Sequence, residues 1–173
     1  RVNILKEMGV DIVSLANNHS YDYGKQSLID TMETLKQADI FYYGAGHDLD
    51  EAMSPVYFEI QGKTIAYVAA SRAEKYRLTL QATEDSPGIL LCYDTDMFVQ
   101  TIKEAKENAD YVIAYVHWGT EYSYELEDVQ LATGKEYIDA GVDIVIGAHS
   151  HCLQGMEFYE DKLIIYSLGN FWF

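Results

Sequence analysis

Positive charge is scarce in this chain of 173 residues: 12 lysines and arginines stand against 28 aspartates and glutamates, a formal net charge of -16 at pH 7. That sign argues against a general binder of nucleic acid or of anionic membrane, since both partners attract basic surfaces. Cysteine is scarce as well. Cys92 and Cys152 cannot build a disulfide framework; one bridge is open to them, two free buried thiols are the preferred reading, and the redox compartment stays undecided. No run of 18 apolar residues exists, so no transmembrane helix is expected. There is no signal peptide pattern and no opening Met. In "RVNILKEMGVDIV", Ile4, Leu5 and Met8 have helical spacing and lead into a Gly and a strand. The opening therefore reads as the end of a helix whose preceding strand lies upstream, where an anchor would lie too.

What is present fits one globular domain, 1–173, with 49% apolar and 23% charged residues. Tyrosine is abundant at 15 residues. Surface tyrosines suit carbohydrate or peptide binding, but core and sheet positions are the simpler reading.

The chain says one thing twice. "GVDIVSLANNH" (Gly9–His19) and "GVDIVIGAHSH" (Gly141–His151) share Gly, Val, Asp, Ile, Val, an Ala and the closing His. Each is a short apolar run that ends in Asn or His. Val10–Ala16, Phe41–Tyr43, Asp110–Val116 and Val142–Ile146 read as buried strands. "GAGHDLDEAM" reads as a glycine loop entering a short helix, and hairpins are expected around "QGK" and "EDK". Helices are expected over Lys25–Ala38, Asp94–Asn108 and Glu127–Ala140, the last despite Gly134, with Ser71–Leu91 as an irregular insertion. Alternating helices and apolar strands followed by hairpins make an α/β domain with mixed sheets.

Ligands of open α/β sheets collect beyond the carboxyl ends of strands. Four of the five histidines fall there: His19 after the first strand, His117 after the third, and His149 and His151 after the fourth. One such histidine alone reads best as a hydrogen-bonded loop residue, and His47, in the glycine loop, reads as an exposed loop residue. Four together point to a shared site, and clustered neutral imidazoles are metal ligands by preference. In an extended segment His149 and His151 would face the same way, and Gly147 would let the backbone come close. Asn and His bring no negative charge, so a cation here needs carboxylates; Asp22 and Glu121 are the local candidates, and the upstream strand is a better one.

"SLANNHSYDYG", "VHWGTEY", "GVDIVIGAHSH" and "IIYSLGNFWF" together resemble the motifs of the bacterial capsule-synthesis, CapA-type poly-γ-glutamate biosynthesis proteins, a family similar in fold to the calcineurin-like metallophosphoesterases. The resemblance implies a metallophosphatase-like αββα sandwich lacking its N-terminal strand, in an extracellular or cell-envelope protein held by an upstream anchor. It implies Asn18, His117, His149 and His151 as ligands of a divalent metal (Mn, Zn or Fe), two ions in the complete site and fewer or none in this chain alone. His19 would be a general acid, with Asp22 as its catalytic companion; the family's Asp after the Asn-His pair is here Ser20. Asn17, Glu121 and Asn170 lie in the matching motifs as substrate-binding candidates. Arg72, Lys75 and Arg77 join them as a local basic loop facing an anionic polymer or small phosphoester.

The implied chemistry is hydrolysis of a phosphoester or γ-glutamyl bond by a coordinated water whose pKa falls from about 15.7 to roughly 7. The alternative is a non-catalytic polymer-binding or scaffold part of a membrane polymer-synthase complex. Neither role involves nucleic acid.

Overall fold

The alternation of side chains along one central strand sets the layering. In β7 (Tyr111–Trp118) buried and half-buried residues alternate. Val112, Ala114, Val116 and Trp118 turn toward Phe98, Ile102 and Ala105 of α4 (Asp96–Glu107) and Tyr137 and Ile138 of α5 (Asp128–Ala140). Tyr115 turns to the other face, where it meets Ile12 of β1 (Ile12–Ser14), Ala16, and Tyr43 of β2 (Phe41–Tyr43). These strands belong to a computed structural model that describes residues 2–73 and 79–171.

The main sheet has six strands in the order β4-β5-β7-β8-β10-β9. These are β4 (Val56–Ile60), β5 (Lys63–Ser71), β7, β8 (Ile144–His149), β10 (Lys162–Ile165) and β9 (Met156–Tyr159). The inner pairs β5/β7, β7/β8 and β8/β10 are parallel, while the two edges, β4/β5 and β9/β10, are antiparallel hairpins. Both hairpins turn on two residues with positive φ, Gln61–Gly62 and Glu160–Asp161, as the right-handed strand twist favours.

A second, two-stranded parallel sheet, β1–β2, lies over the β4–β5 side. Edge-to-face contacts Phe41–Phe58 and Tyr43–Tyr67, with centroids 5.2 and 6.2 Å apart, seal the two sheets. The outer face of β1–β2 carries Val13, Leu15 and Tyr42 and is covered by Leu28, Met32 and Leu35 of α2 (Lys25–Gln37). The layers thus run α4/α5, six-stranded sheet, two-stranded sheet, α2: the αββα order expected. The short α1 (Val2–Glu7) sits beside α2. The remaining elements are α3 (Leu49–Met53), β3 (Ala45–Gly46) and β6 (Gly88–Ile89), the last two paired. Beyond β7, Ile144, Ile146, Leu163 and Ile165 are only half-buried on the face turned from the helices, and Met156 and Phe158 stay exposed.

Two expectations change. β7 and β8 continue past Val116 and Ile146, so His117 and His149 lie within the last residues of strands rather than in loops. Strand pairing extends them: His117 pairs with Ala148, and Trp118 with His149. Both cysteines are free, as preferred; Cys92 is fully buried and Cys152 partly so.

Candidate active site

β1, β7 and β8 all direct their carboxyl ends to one edge, and the polar side chains after or within those ends meet. His117 Nε2 lies 2.9 Å from Asn18 Oδ1. An amide oxygen can only accept, so His117 is the Nε2–H tautomer in this pairing. Asn18 Nδ2 turns to His19 Nε2 at 3.4 Å, and His19 Nδ1 meets Asp22 Oδ2 at 2.9 Å. A continuous polar chain, Asp22–His19–Asn18–His117, therefore joins the ends of β1 and β7. The Asp displaced to position 22 reaches the histidine that Ser20 does not; Ser20 instead donates to the Leu15 carbonyl at 2.5 Å and shapes the turn.

The ring of His149 lies against that of His117, with centroids 4.7 Å apart, and His151 follows at 6.3 Å from His149. The geometry is not the extended one expected of His-x-His. His149 has φ 101 and His151 φ 58, both in the left-handed region, where a side chain is strained and a surrounding structure must hold it. Strand alternation alone would put His149 on the helix face with Trp118, its register partner. The positive φ re-aims the ring to the other face. Gly147 serves as expected: a Cβ there would lie 1.9 Å from the Tyr166 carbonyl and 2.4 Å from Trp118 Nε1.

Burial, and then the neighbouring His149, His19 and His151, push the His117 imidazole down to about 3. It is neutral at physiological pH, as a metal donor must be. His149 is 7% exposed. His19 is open to solvent, its side chain 65% exposed.

The other expected residues divide. Glu121 Oε1 stands 4.0 Å from His151 Nε2. Asn170 Oδ1 lies 2.8 Å from His151 Nδ1, while its Nδ2 is buried with no partner among the described residues. Asn17 Oδ1 accepts from the His19 backbone N–H at 2.9 Å, so it builds the turn. The Arg72 guanidinium is turned to the Tyr93 carbonyl, 3.0 Å away, and lies over the Tyr93 ring. Lys75 and Arg77 lie outside the described residues. His47 is an exposed loop residue paired with Glu51 at 2.7 Å. Two residues were not foreseen. Thr79 donates to the Asn18 carbonyl at 2.7 Å from 61 positions away, and Tyr122 stacks on His151 with centroids 5.4 Å apart. Thr79 left no periodic signal, whereas Tyr122 stands inside the "VHWGTEY" stretch.

The donor chemistry fits a divalent cation in part. An amide oxygen and neutral imidazoles are acceptable donors for such an ion, but Asn18 and His117 face each other through a hydrogen bond. Yet no group of three or more His, Cys, Asp or Glu among the described residues is arranged to hold a metal ion. His117 and His151 are turned to Asn18 and Asn170 instead.

The family model for the Bacterial capsule synthesis protein PGA_cap matches residues 1–173. The chain belongs to that family. It is 38% identical over 176 residues to the capsule biosynthesis protein CapA of Bacillus anthracis, covering 99% of this chain and 42% of that protein. To the PGA biosynthesis protein CapA of Bacillus subtilis it is 36% identical over 173 residues, covering 99% and 45%. The chain therefore spans less than half the length of these curated relatives. A phosphatase of Mycoplasma pneumoniae superposes with a TM-score of 0.61 over 97% of this chain and 53% of that one, at 16% identity. The chain thus shares the fold of that phosphatase. No helix among the described residues is long and apolar enough to cross a membrane.

Proposed function

We propose that this chain is the metallophosphatase-like domain of a capsule or poly-γ-glutamate biosynthesis protein, working at the cell envelope as a metal-dependent hydrolase. The bonds it would cleave are phosphoester or γ-glutamyl bonds of an anionic polymer or a small phosphoester. The Asp22–His19–Asn18–His117 chain carries this reading, because it ties an exposed acid–base histidine to a buried neutral donor set. Asn18, His117, His149 and His151 would hold one or two divalent ions (Mn, Zn or Fe), completed by carboxylates beyond those four. When bound, such an ion polarises the scissile bond and makes a water nucleophilic at neutral pH.

The chain's own groups do the rest. As the imidazolium, His19 would donate a proton to the leaving atom from Nε2, the nitrogen that faces the Asn18 amide in the resting pairing. Asp22 holds Nδ1–H, sets the ring orientation and stabilises the imidazolium, the part an Asp plays behind a catalytic His. Asn18 passes its amide between both histidines and fixes their spacing. Of the basic loop, Lys75 and Arg77 would receive the anionic polymer, while Arg72 is engaged by the Tyr93 carbonyl and ring.

One observation favours a second reading, a non-catalytic polymer-binding part of a membrane polymer-synthase complex: the described donors do not close around one point. The test is turnover of a phosphodiester and of a γ-glutamyl peptide by the intact protein with each metal. His19→Ala should lower turnover by about 10²- to 10⁴-fold and spare metal binding, while His149→Ala should remove both. If the wild-type protein turns over neither substrate with any of the three metals, the hydrolase reading fails and the scaffold reading stands.

A further inference from the structure

We propose that Asn170 is a positioning residue for His151, locking its ring as the Nδ1–H tautomer so that the Nε2 lone pair is the one presented to the site. The carbonyl oxygen of Asn170 faces His151 Nδ1 at 2.8 Å. Such an oxygen has no hydrogen to give, so Nδ1 must carry one, and the neutral ring then leaves Nε2 bare. Glu121 Oε1, at 4.0 Å, is too far to take a hydrogen from Nε2. It places negative charge on the side where a cation would approach.

The pair is braced from both directions. Tyr122 covers one face of the ring at 5.4 Å with an interplanar angle of 23°. Its own backbone is held at φ 60 by a hydrogen bond from its N–H to the Ser150 carbonyl, 2.7 Å long. Asn170 follows Gly169, whose N–H donates to Ser167 Oγ at 3.1 Å. Ser167 Oγ lies 2.9 Å from Ser150 Oγ, and both serines are essentially fully buried. One buried serine pair thus ties the turn bearing His151 to the turn bearing Asn170. The ring keeps an exposed side, so the amide at Nδ1 and the Tyr122 ring on one face are what orient it, and the amide decides which nitrogen is protonated. The reversed amide would place a donor on Nδ1 and force the hydrogen onto Nε2.

The tautomer stands on these contacts alone; its consequence for metal binding rests on the function proposed above. The test is a long-range ¹H–¹⁵N correlation spectrum of the metal-free chain with ¹⁵N-histidine, at a pH where the rings are neutral. His151 should show a pyrrole-type Nδ1 and a pyridine-type Nε2. In Asn170→Leu it should move to a mixture or to the Nε2–H form, with His117 unchanged, and Asn170→Asp should retain the wild-type pattern because it keeps the acceptor. An Nε2–H His151 in the wild type, or an unmoved tautomer in Asn170→Leu, overturns the proposal. Should the leucine variant not fold, the wild type and Asn170→Asp decide: both must show Nδ1–H. Calorimetric zinc titration of the intact protein reads the consequence. Asn170→Leu should bind about 10- to 100-fold more weakly. Unchanged affinity beside a lost tautomer would take His151 out of the metal site while leaving its pairing with Asn170 intact.

Discussion

Gly147 is where fold and site are most tightly joined, and Gly147→Ala should be costly in both. The added methyl would lie 1.9 Å from the Tyr166 carbonyl oxygen and 2.4 Å from Trp118 Nε1. Ordinary contacts begin near 3.4 Å, so β8 must shift from its neighbours by more than an ångström. The same methyl sits at the hydrogen bond from Trp118 Nε1 to that carbonyl, 2.8 Å long and fully buried. Overpacking costs about 1–3 kcal/mol, and the broken bond adds about 1 kcal/mol, for a total of about 2–4 kcal/mol. For a chain of this size that is a fall in Tm of roughly 4–16 °C. Gly155→Ala is the control: nothing lies within 4 Å of a Cβ there, and it should stay within about 0.5 kcal/mol of wild type. Urea unfolding of the three proteins measures the free energies, and thermal unfolding the fall in Tm. Because His149 follows two residues later, its ring signals should move in Gly147→Ala and not in Gly155→Ala. A Gly147→Ala midpoint equal to that of the control would refute the reasoning.

At the opposite edge of the sheet, Asp143 accepts from Lys162 Nζ and, at 2.9 Å each, from Lys106 Nζ and the Val112 N–H. Burial alone would raise its carboxyl, but Lys162, the Val112 amide and Lys106 together hold it below the usual range. A depressed acid stabilises above its unfolded pKa of about 3.9 and loses that contribution as pH falls through its folded value. Asp143→Asn should therefore cost about 2 kcal/mol at pH 7, with the Lys106 and Lys162 side chains 36% and 31% exposed, and the gap should close under acid conditions; a gap that does not change with pH in urea titrations would contradict this. Arg72→Ala should cost about 1 kcal/mol through its lost bond to the Tyr93 carbonyl, readable as a lower urea midpoint, with no change if the guanidinium is instead free in solution.

The layering was legible because burial follows period: Val112, Ala114, Val116 and Trp118 alternate, and Leu28, Met32 and Leu35 share a helical face. The ends of strands were not. His117 is polar and reads as a loop residue, but its pairing with Ala148 keeps β7 going, and register across a sheet leaves no mark in one strand's own pattern. The gathering of Asn18, His117 and His149 was legible from three strand ends on one edge. The way His149 gets there was not, since φ 101 at a residue other than glycine leaves no mark in the sequence. Asp22 was visible as a displaced acid three residues after His19; only folding showed the loop returning it to Nδ1. Arg72 read as part of a basic loop facing an anionic polymer, and the carbonyls that take it instead lie about twenty residues downstream.

The central claim is that donors from three different strands serve one centre. Calorimetric titration of the intact protein with zinc and manganese tests it most directly, comparing wild type with Asn18→Ala after β1, His117→Ala in β7 and His149→Ala in β8. One centre predicts that each change weakens the same binding event by at least about 10-fold, and that double variants lose less than the sum because the ligands act together. Retained affinity in Asn18→Ala or His117→Ala beside a clear loss in His149→Ala would show that the strand ends do not share a metal, and the account would be wrong.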